Sequence, residues 1–324
     1  MTKTNQQKVK DFLINNGVII VMFILVIYTG FTSDNFFTRN NFMNILMNMS
    51  SRLVIALGIA GCVITAGCDL SAGRMIGFGA CISGMLLQRM DYSGKFFPDM
   101  QPLNVFVVAL IAMLVCAAFG TVTGFFIAYL NVPPFIATLA MMEIVYGIGL
   151  IVTNATPLGG YVEQYTNVSN GKFLGINYLI WIAIIVAAIT WFIFNMTRHG
   201  KYMYAIGGNP QAAEVAGVPV KATLILIYMK AAAMYGLAGF MLGAKAGGAS
   251  VQTGYGYEME AIAACTIGGV SVTGGRGKVS SAIIGVAVFE LLKVALQYLG
   301  MNANAQYIAC LLYTSPSPRD TERS

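Results

Sequence analysis

Apolar runs, parted only by short polar stretches, follow one another from residue 12 to residue 300. A helix that crosses the hydrocarbon core of a bilayer needs about 20 mostly apolar residues. In lipid, each backbone N–H and C=O must find its partner within such a helix. Nine segments answer this description, roughly 12–31, 53–67, 74–90, 103–130, 134–153, 177–196, 222–244, 259–273 and 279–300. The second and eighth are short and interrupted by Gly. The longest polar stretches, 154–176 and 197–221, are too brief for a second domain. The pattern predicts an all-α, polytopic membrane protein with a single membrane domain over 1–310.

Composition agrees with lipid as the solvent. Charged residues make up 10% of the 324 and hydrophobic ones 57%, whereas a soluble domain carries about 25% charged residues. The 36 glycines suit helices that approach closely in a membrane. The net charge of +6 does not imply a nucleic-acid partner, because the Lys and Arg residues sit between apolar runs and form no basic stripe. Cys62, Cys68, Cys81, Cys116, Cys265 and Cys310 contain no CxxC pair and read as reduced, buried small side chains. With His199 as the single histidine, no metal site is expected. Lys3, Lys8 and Lys10 precede the first apolar run without a small-residue cleavage site after it, so that run reads as a span and not as a leader.

Loop charge gives an orientation. With a cytoplasmic N-terminus, Lys3, Lys8, Lys10, Arg74, Arg198, Lys201, Lys221, Arg276 and Lys278 fall inside, and Arg39, Arg52, Arg89, Lys95, Lys172 and Lys245 outside. This bias places 197–221 in the cytoplasm. Within that stretch lies Gly207-Gly208-Asn209-Pro210-Gln211-Ala212-Ala213-Glu214-Val215-Ala216-Gly217. Asn209 is a good N-cap, Pro210 suits the first helical position and Gly217 suits the left-handed residue that ends a helix. A helix of about two turns, roughly 10 Å long, cannot span a bilayer. The spacing alone fits a surface helix closing a loop; the small side chains of Ala212, Ala213, Val215 and Ala216 also offer a smooth surface to a groove on another protein.

Two Gly-interrupted stretches match at an offset of 202 residues: Gly67 with Gly269, Ser71 with Thr273, Gly73 with Gly275 and Arg74 with Arg276. Paired, broken segments of this kind mark the substrate site in many transporters. Asp69, Ser71, Gly73, Ser271, Thr273 and Gly275 are therefore the substrate-path candidates, with helix capping as the alternative role for Asp69 and chance likeness of Gly-rich turns as the alternative for the pair. Glu290 and Lys293, at i and i+3, are read as a structural pair. Glu143 and Lys230 lie in other spans, either as a pair or along a path.

Enzymatic patterns fail on inspection. Gly274-Gly275-Arg276-Gly277-Lys278 hints at a phosphate loop, but Val272 and Val279 stand where Gly and Ser or Thr are required. Gly269-Val270-Ser271-Val272-Thr273 lacks the final Gly of a nucleophile elbow. No acid–base constellation is present, so the chain is not read as an enzyme.

Ala56-Leu57-Gly58-Ile59-Ala60-Gly61, Asp69-Leu70-Ser71-Ala72-Gly73-Arg74, Ala128-Tyr129-Leu130-Asn131-Val132, Pro134-Phe135-Ile136-Ala137-Thr138-Leu139, Ala205-Ile206-Gly207-Gly208-Asn209-Pro210 and Ala261-Ile262-Ala263-Ala264-Cys265 with Gly268-Gly269-Val270-Ser271 resemble runs of the sugar permeases for ribose, xylose and galactose, with the galactose/methyl-galactoside branch nearest. That family is related to branched-chain amino-acid permeases, and branched-chain amino-acid transport is the nearest rival function within it. The resemblance covers roughly 10–309. It implies about ten helices, two permease copies, a separate ATP-binding subunit that holds ATP and Mg, and a periplasmic sugar-binding protein. The permease itself would hold no cofactor. It also implies that Asn209, Pro210, Ala212, Ala213, Glu214 and Gly217 form the cytoplasmic segment that docks on the ATPase. Family variants often carry a basic residue before the Gly; Glu214 and Val215 stand there, so no particular salt bridge is transferred. An ion-coupled secondary transporter is the competing class, expected to carry carboxylates inside its spans. After residue 310 the chain departs from the family: 311–324, with Pro316 and Pro318, reads as a non-native tail in place of a last span.

Overall fold

The computed structural model describes residues 17–33, 35–302 and 305–306; the segment 311–324 lies outside them. Twelve helices are described: α1 (Gly17–Thr32), α2 (Arg39–Ile64), α3 (Ala72–Leu86), α4 (Val105–Tyr129), α5 (Pro134–Thr153), α6 (Glu163–Asn170), α7 (Tyr178–Met196), α8 (Arg198–Gly208), α9 (Pro210–Val215), α10 (Val220–Ala246), α11 (Tyr257–Ile267) and α12 (Val279–Tyr298). A small antiparallel hairpin, β1 (Lys172–Phe173) with β2 (Ile176–Asn177), sits between α6 and α7. Among the described residues six helices, α2, α4, α5, α7, α10 and α12, are long and apolar enough to cross a membrane.

The second span differs from its sequence reading. Instead of a short segment broken by Gly, α2 is continuous over 26 residues. Hydropathy hides its first half, where Asn41, Asn48, Ser50 and Arg52 stand. Each of these has a partner inside the bundle. Asn41 donates to the Phe36 carbonyl at 2.7 Å and Ser50 to the Leu46 carbonyl at 2.7 Å. Asn48 accepts from Lys245, and Arg52 pairs with Glu260 and Glu290. Arg52 and Arg74, placed at loop ends by hydropathy, thus lie within helices.

The centre of the molecule is α10, packed on α4, α3 and α2. Its 27 residues span roughly 40 Å at 1.5 Å per residue. Close approach is possible because small residues face each other. At Gly79 of α3 an added Cβ would lie 2.9 Å from the Cα of Gly236 on α10, so neither position tolerates a side chain without moving a backbone.

Two of the helices packed within the bundle are too short to cross it. The 15-residue α3 covers roughly 22 Å and the 11-residue α11 roughly 16 Å, against a core of about 30 Å. Neighbours fix where they begin. The turn before α3 touches the middle of α10, through Gly67 against Tyr228 and Asp69 against Tyr235. From there α3 runs parallel to α10, with Gly79 at Gly236 and Ala80 at Gly239 and Gly243. By contrast, α11 follows α2 in its own direction, with Glu260 at Arg52 and Cys265 at Ala56. Since α2 ends beside α8 and α10 starts just after α9, the two short helices run oppositely. Their N-terminal ends meet mid-way, where the Glu258 carboxylate and the Gly254 carbonyl close over Gly73.

Candidate functional site

The first break is stitched to α10. Asp69 is 2% exposed. Its Oδ1 accepts the Ser71 backbone N–H at 3.0 Å and the Ser71 hydroxyl at 2.6 Å, and its Oδ2 accepts the Tyr235 hydroxyl at 3.1 Å. The Ser71 hydroxyl is thereby turned toward Asp69 and makes no cap bond to α3. A Cβ at Gly73 would overlap the Glu258 carboxylate and press on the Gly254 carbonyl at 3.1 Å, so a side chain there requires Glu258 to move. At the next position, the Arg74 guanidinium stacks over the rings of Tyr146 at 4.0 Å and Tyr255 at 4.2 Å, and donates to Gln252 Oε1 at 2.7 Å. Gln252 in turn donates to the Tyr146 hydroxyl at 3.2 Å. Arg74, Tyr146, Gln252 and Tyr255 thus join the start of α3 to α5 and to the stretch 247–256. Glu143 lies exposed on α5, and no ion pair joins it to Lys230 among the described residues.

The second stretch, 269–276, is not in the interior with the first. It is a loop joining α11 to α12, with Val272, Thr273 and Arg276 exposed. Ser271 and Thr273 bond each other at 2.8 Å. The Gly275 backbone N–H donates to the Ile64 carbonyl at 2.8 Å, and Gly274 packs on Gly207 and Ala66. The offset of 202 therefore aligns a broken helix with an exposed turn. Gly269, Gly274 and Gly275 all have positive φ, which an exposed tight turn demands as readily as a helix break does. The structural counterpart of 67–73 is 247–256, where Gly247, Gly254 and Gly256 also have positive φ before α11 starts.

At the opposite end of α10 from its close with Gly247 lies the short helix α9. Asn209 Oδ1 accepts the Ala212 N–H at 2.9 Å, Pro210 opens the helix, and Gly217 takes φ +83°. These are the caps its residues predict. Its faces differ from the reading above: Ala213 is 5% exposed and turned inward, whereas Val215 is 91% exposed. Gln211, Ala212, Glu214, Val215 and Ala216 make the outer surface. A second helix, α8, precedes it and has no clear signal in the sequence. Its Gly207 sits against the Ile64 carbonyl and Gly275 N, and the Tyr204 hydroxyl donates to the Gly277 carbonyl at 2.8 Å. The α8–α9 corner thus bears directly on the end of α2 and on the 269–277 loop. His199 of α8 is half-buried by a cavity that Lys230 also lines. Burial and the Lys230 charge lower its pKa to about 4, so the imidazole is neutral at pH 7.

Sequence reading paired Glu290 with Lys293; the structure draws both into a larger ionic cluster deeper in the bundle, whose other members, Arg52 and Glu260, it missed. Glu260 accepts from Arg52 Nε at 3.0 Å and from Lys293 at 2.8 Å, and Arg52 also pairs with Glu290. Charges inside spans need partners, and Glu260, Glu290 and Lys293 in apolar runs were the available signal. Among the described residues no group of His, Cys, Asp and Glu could hold a metal ion.

Six helices among the described residues, long and apolar enough to cross a membrane, with two short opposed helices meeting between them, make this a polytopic membrane protein. The chain belongs to the family described as "Branched-chain amino acid transport system / permease component", whose profile matches residues 41–314. It is 39% identical over 315 residues to the galactose/methyl galactoside import permease protein MglC of Escherichia coli K12, covering 95% of this chain and 94% of that protein. To MglC of Haemophilus influenzae it is 41% identical, with the same coverage. To the ribose import permease protein RbsC of Escherichia coli K12 it is 32% identical, over 92% of this chain and 91% of that one. No solved structure is significantly similar. The chain is a transport component and not an enzyme.

Proposed function

We propose that this chain is the membrane-spanning subunit of a bacterial importer for galactose, methyl galactoside or a related monosaccharide. A separate ATP-binding subunit holds ATP and Mg and drives it, and a periplasmic binding protein supplies the sugar. Two copies of the permease form the pathway in the inner membrane, with the N-terminus cytoplasmic. The names of the relatives support the sugar, and the α8–α9 corner carries the coupling. A well-capped helix with an outward Val215 gives a partner something to grip, in a chain without a phosphate loop. A push on α9 passes through Gly207 to the end of α2 and the 269–277 loop, and hence to both ends of the short helix pair. Alternating access follows if that push tilts α11 against α3. Asp69, Ser71 and Gly73 are assigned to the hinge of the pathway, and Ser271, Thr273 and Gly275 to its coupling end.

The test is co-purification with an ATP-binding subunit, followed by ATP hydrolysis in lipid vesicles with the binding protein present. Galactose should raise hydrolysis and accumulate inside. The family's description makes leucine the proper comparison: stimulation by leucine and not by galactose would reassign the substrate, and uptake driven by an ion gradient without ATP would remove the coupling role of α9.

A further inference from the structure

The ionic cluster borders a cavity that the coupling mechanism does not use. Its volume is about 150 Å³. It lies between α2, α10 and α12 at the end of α10 away from α9: Lys245 is in the last turn of α10 and Gln297 in the last turn of α12. Asn48, Ser51, Tyr257 and Glu290 complete the part of the lining that matters here.

Charge of both signs lines this space, and most of it is already paired. Arg52 and Lys293 hold Glu260, Arg52 also holds Glu290, and Lys245 donates to Asn48. A free anion would meet the carboxylate of Glu290, and a free cation would meet Lys245 and Lys293. A hydroxyl, which donates and accepts at once, can satisfy both kinds of neighbour. One group waits for such a ligand. Ser51 is 1% exposed, lines the cavity, and its hydroxyl has no hydrogen-bond partner among the described residues. The neighbouring Ser50 bonds the Leu46 carbonyl four residues back, an outlet that Ser51 does not take. Leaving a buried hydroxyl unsatisfied is costly, so an unpartnered serine in the wall of a polar cavity points to an occupant. The Tyr257 ring, with the Arg52 guanidinium 5.1 Å from its centroid, is the aromatic part of the lining.

We propose that this cavity is an intramembrane holding site for one neutral monosaccharide. The assignment rests on the sugar-import reading above, under which the cavity lies on the side from which sugar enters. It is a binding site only, with no bond made or broken.

The experiment uses the full chain with its ATP-binding subunit and binding protein in vesicles. Ser51→Leu fills the space without altering charge and should lower galactose uptake about tenfold or more at matched membrane levels, with ATPase co-purification retained. Ser51→Cys, a near-isosteric change, guards against misfolding: its labelling by a small charged thiol reagent, above the unmodified chain's background, should be slowed by galactose and not by sulfate. Wild-type uptake by Ser51→Leu, absence of labelling at Ser51→Cys, labelling indifferent to galactose, or protection by sulfate alone would each overturn the site while the unmodified chain still imports galactose. Failure of the unmodified chain to import any monosaccharide would instead defeat the import reading, an outcome visible before either variant is made.

Discussion

Gly67-Cys68-Asp69-Leu70-Ser71-Ala72-Gly73-Arg74 and Gly269-Val270-Ser271-Val272-Thr273-Gly274-Gly275-Arg276 share glycines, a hydroxyl and an arginine at matched positions, yet they sit in different environments. In the first, Asp69, Ser71 and Arg74 are buried and each has a partner: Tyr235 for Asp69, Asp69 for Ser71, Gln252 and two tyrosine rings for Arg74. In the second, Ser271 and Thr273 bond each other and Arg276 is exposed. The glycine pattern specifies a sharp change of direction. Whether that change happens inside the bundle or at its rim depends on what the polar residues between the glycines can reach. An aspartate with two faces to satisfy is held inside by a tyrosine 166 residues away; no such partner reaches the second stretch.

Substitutions in the two stretches can break this contrast. The largest effect is expected at Gly73→Leu, because its side chain must displace Glu258 and the Gly254 backbone. Overpacking of this kind typically costs about 1–3 kcal/mol and occasionally more, so folded yield and uptake should both collapse. A substitution in the other stretch, Thr273→Leu on the exposed turn, should leave melting near wild type. Thermal melting of the detergent-solubilised protein decides it, and equal losses in the two variants would erase the distinction.

Arg74→Ala and Arg276→Ala come next. The first loses a charge-assisted hydrogen bond, worth about 1.5–3 kcal/mol, and with it two ring contacts of the same guanidinium, which do not add independently. The second removes an exposed side chain and should stay within about 0.5 kcal/mol. Arg74→Lys keeps the charge and loses the planar stack, and should fall between them. The same melting measurement ranks the three.

The contrast of inner and outer faces recurs on α9 at a smaller scale. Ala213→Arg forces a long charged side chain into a buried position and should lower stability and ATPase co-purification together. Val215→Asp, on the exposed face, should leave melting unchanged and reduce co-purification by about tenfold, equivalent to about 1.4 kcal/mol. Retention of the ATPase by Val215→Asp would move the docking surface elsewhere on the corner, to the α8 side.

The smallest expected effect is at Asp69→Asn. Asparagine keeps an acceptor for Ser71 but weakens the charge-assisted bonds, at a cost of about 1 kcal/mol. Asp69→Ala leaves the buried Ser71 and Tyr235 hydroxyls without that acceptor, about 1–3 kcal/mol for each. If Asp69→Asn transports normally while Asp69→Ala does not, the residue holds the hinge in place; if both lose uptake at full stability, its charge acts in the pathway itself.

Much of α9 could be read directly, since capping is a contract between residues two to five apart: Asn209 with Ala212, and Gly217 with the turn it ends. The long spans could be read as well, because mean hydropathy over about 20 residues reports their solvent. The first half of α2 could not. Asn41, Asn48 and Arg52 look like loop residues to any local average; Asn41 is met by the nearby Phe36 carbonyl, but Asn48 and Arg52 find their partners in Lys245, Glu260 and Glu290, some 200 residues later. The α8 helix was missed because its apolar positions, Met203 and Ile206, are few and meet their neighbours only in the folded chain.

The residue order alone therefore determined the solvent of this protein, the helical character of its spans, the caps of α9 and the family likeness in its short runs. Each of these rests on interactions within one helix or between a helix and lipid. Tertiary structure decided which Gly-rich stretch is buried, that the second break falls at 247–256, which way Ala213 faces, and that Arg52 belongs to a span. The physical reason is common to all four: a polar or glycine residue carries the same local preference on a rim as in a core, and its placement is settled by a partner brought close only when α2, α10, α11 and α12 pack together.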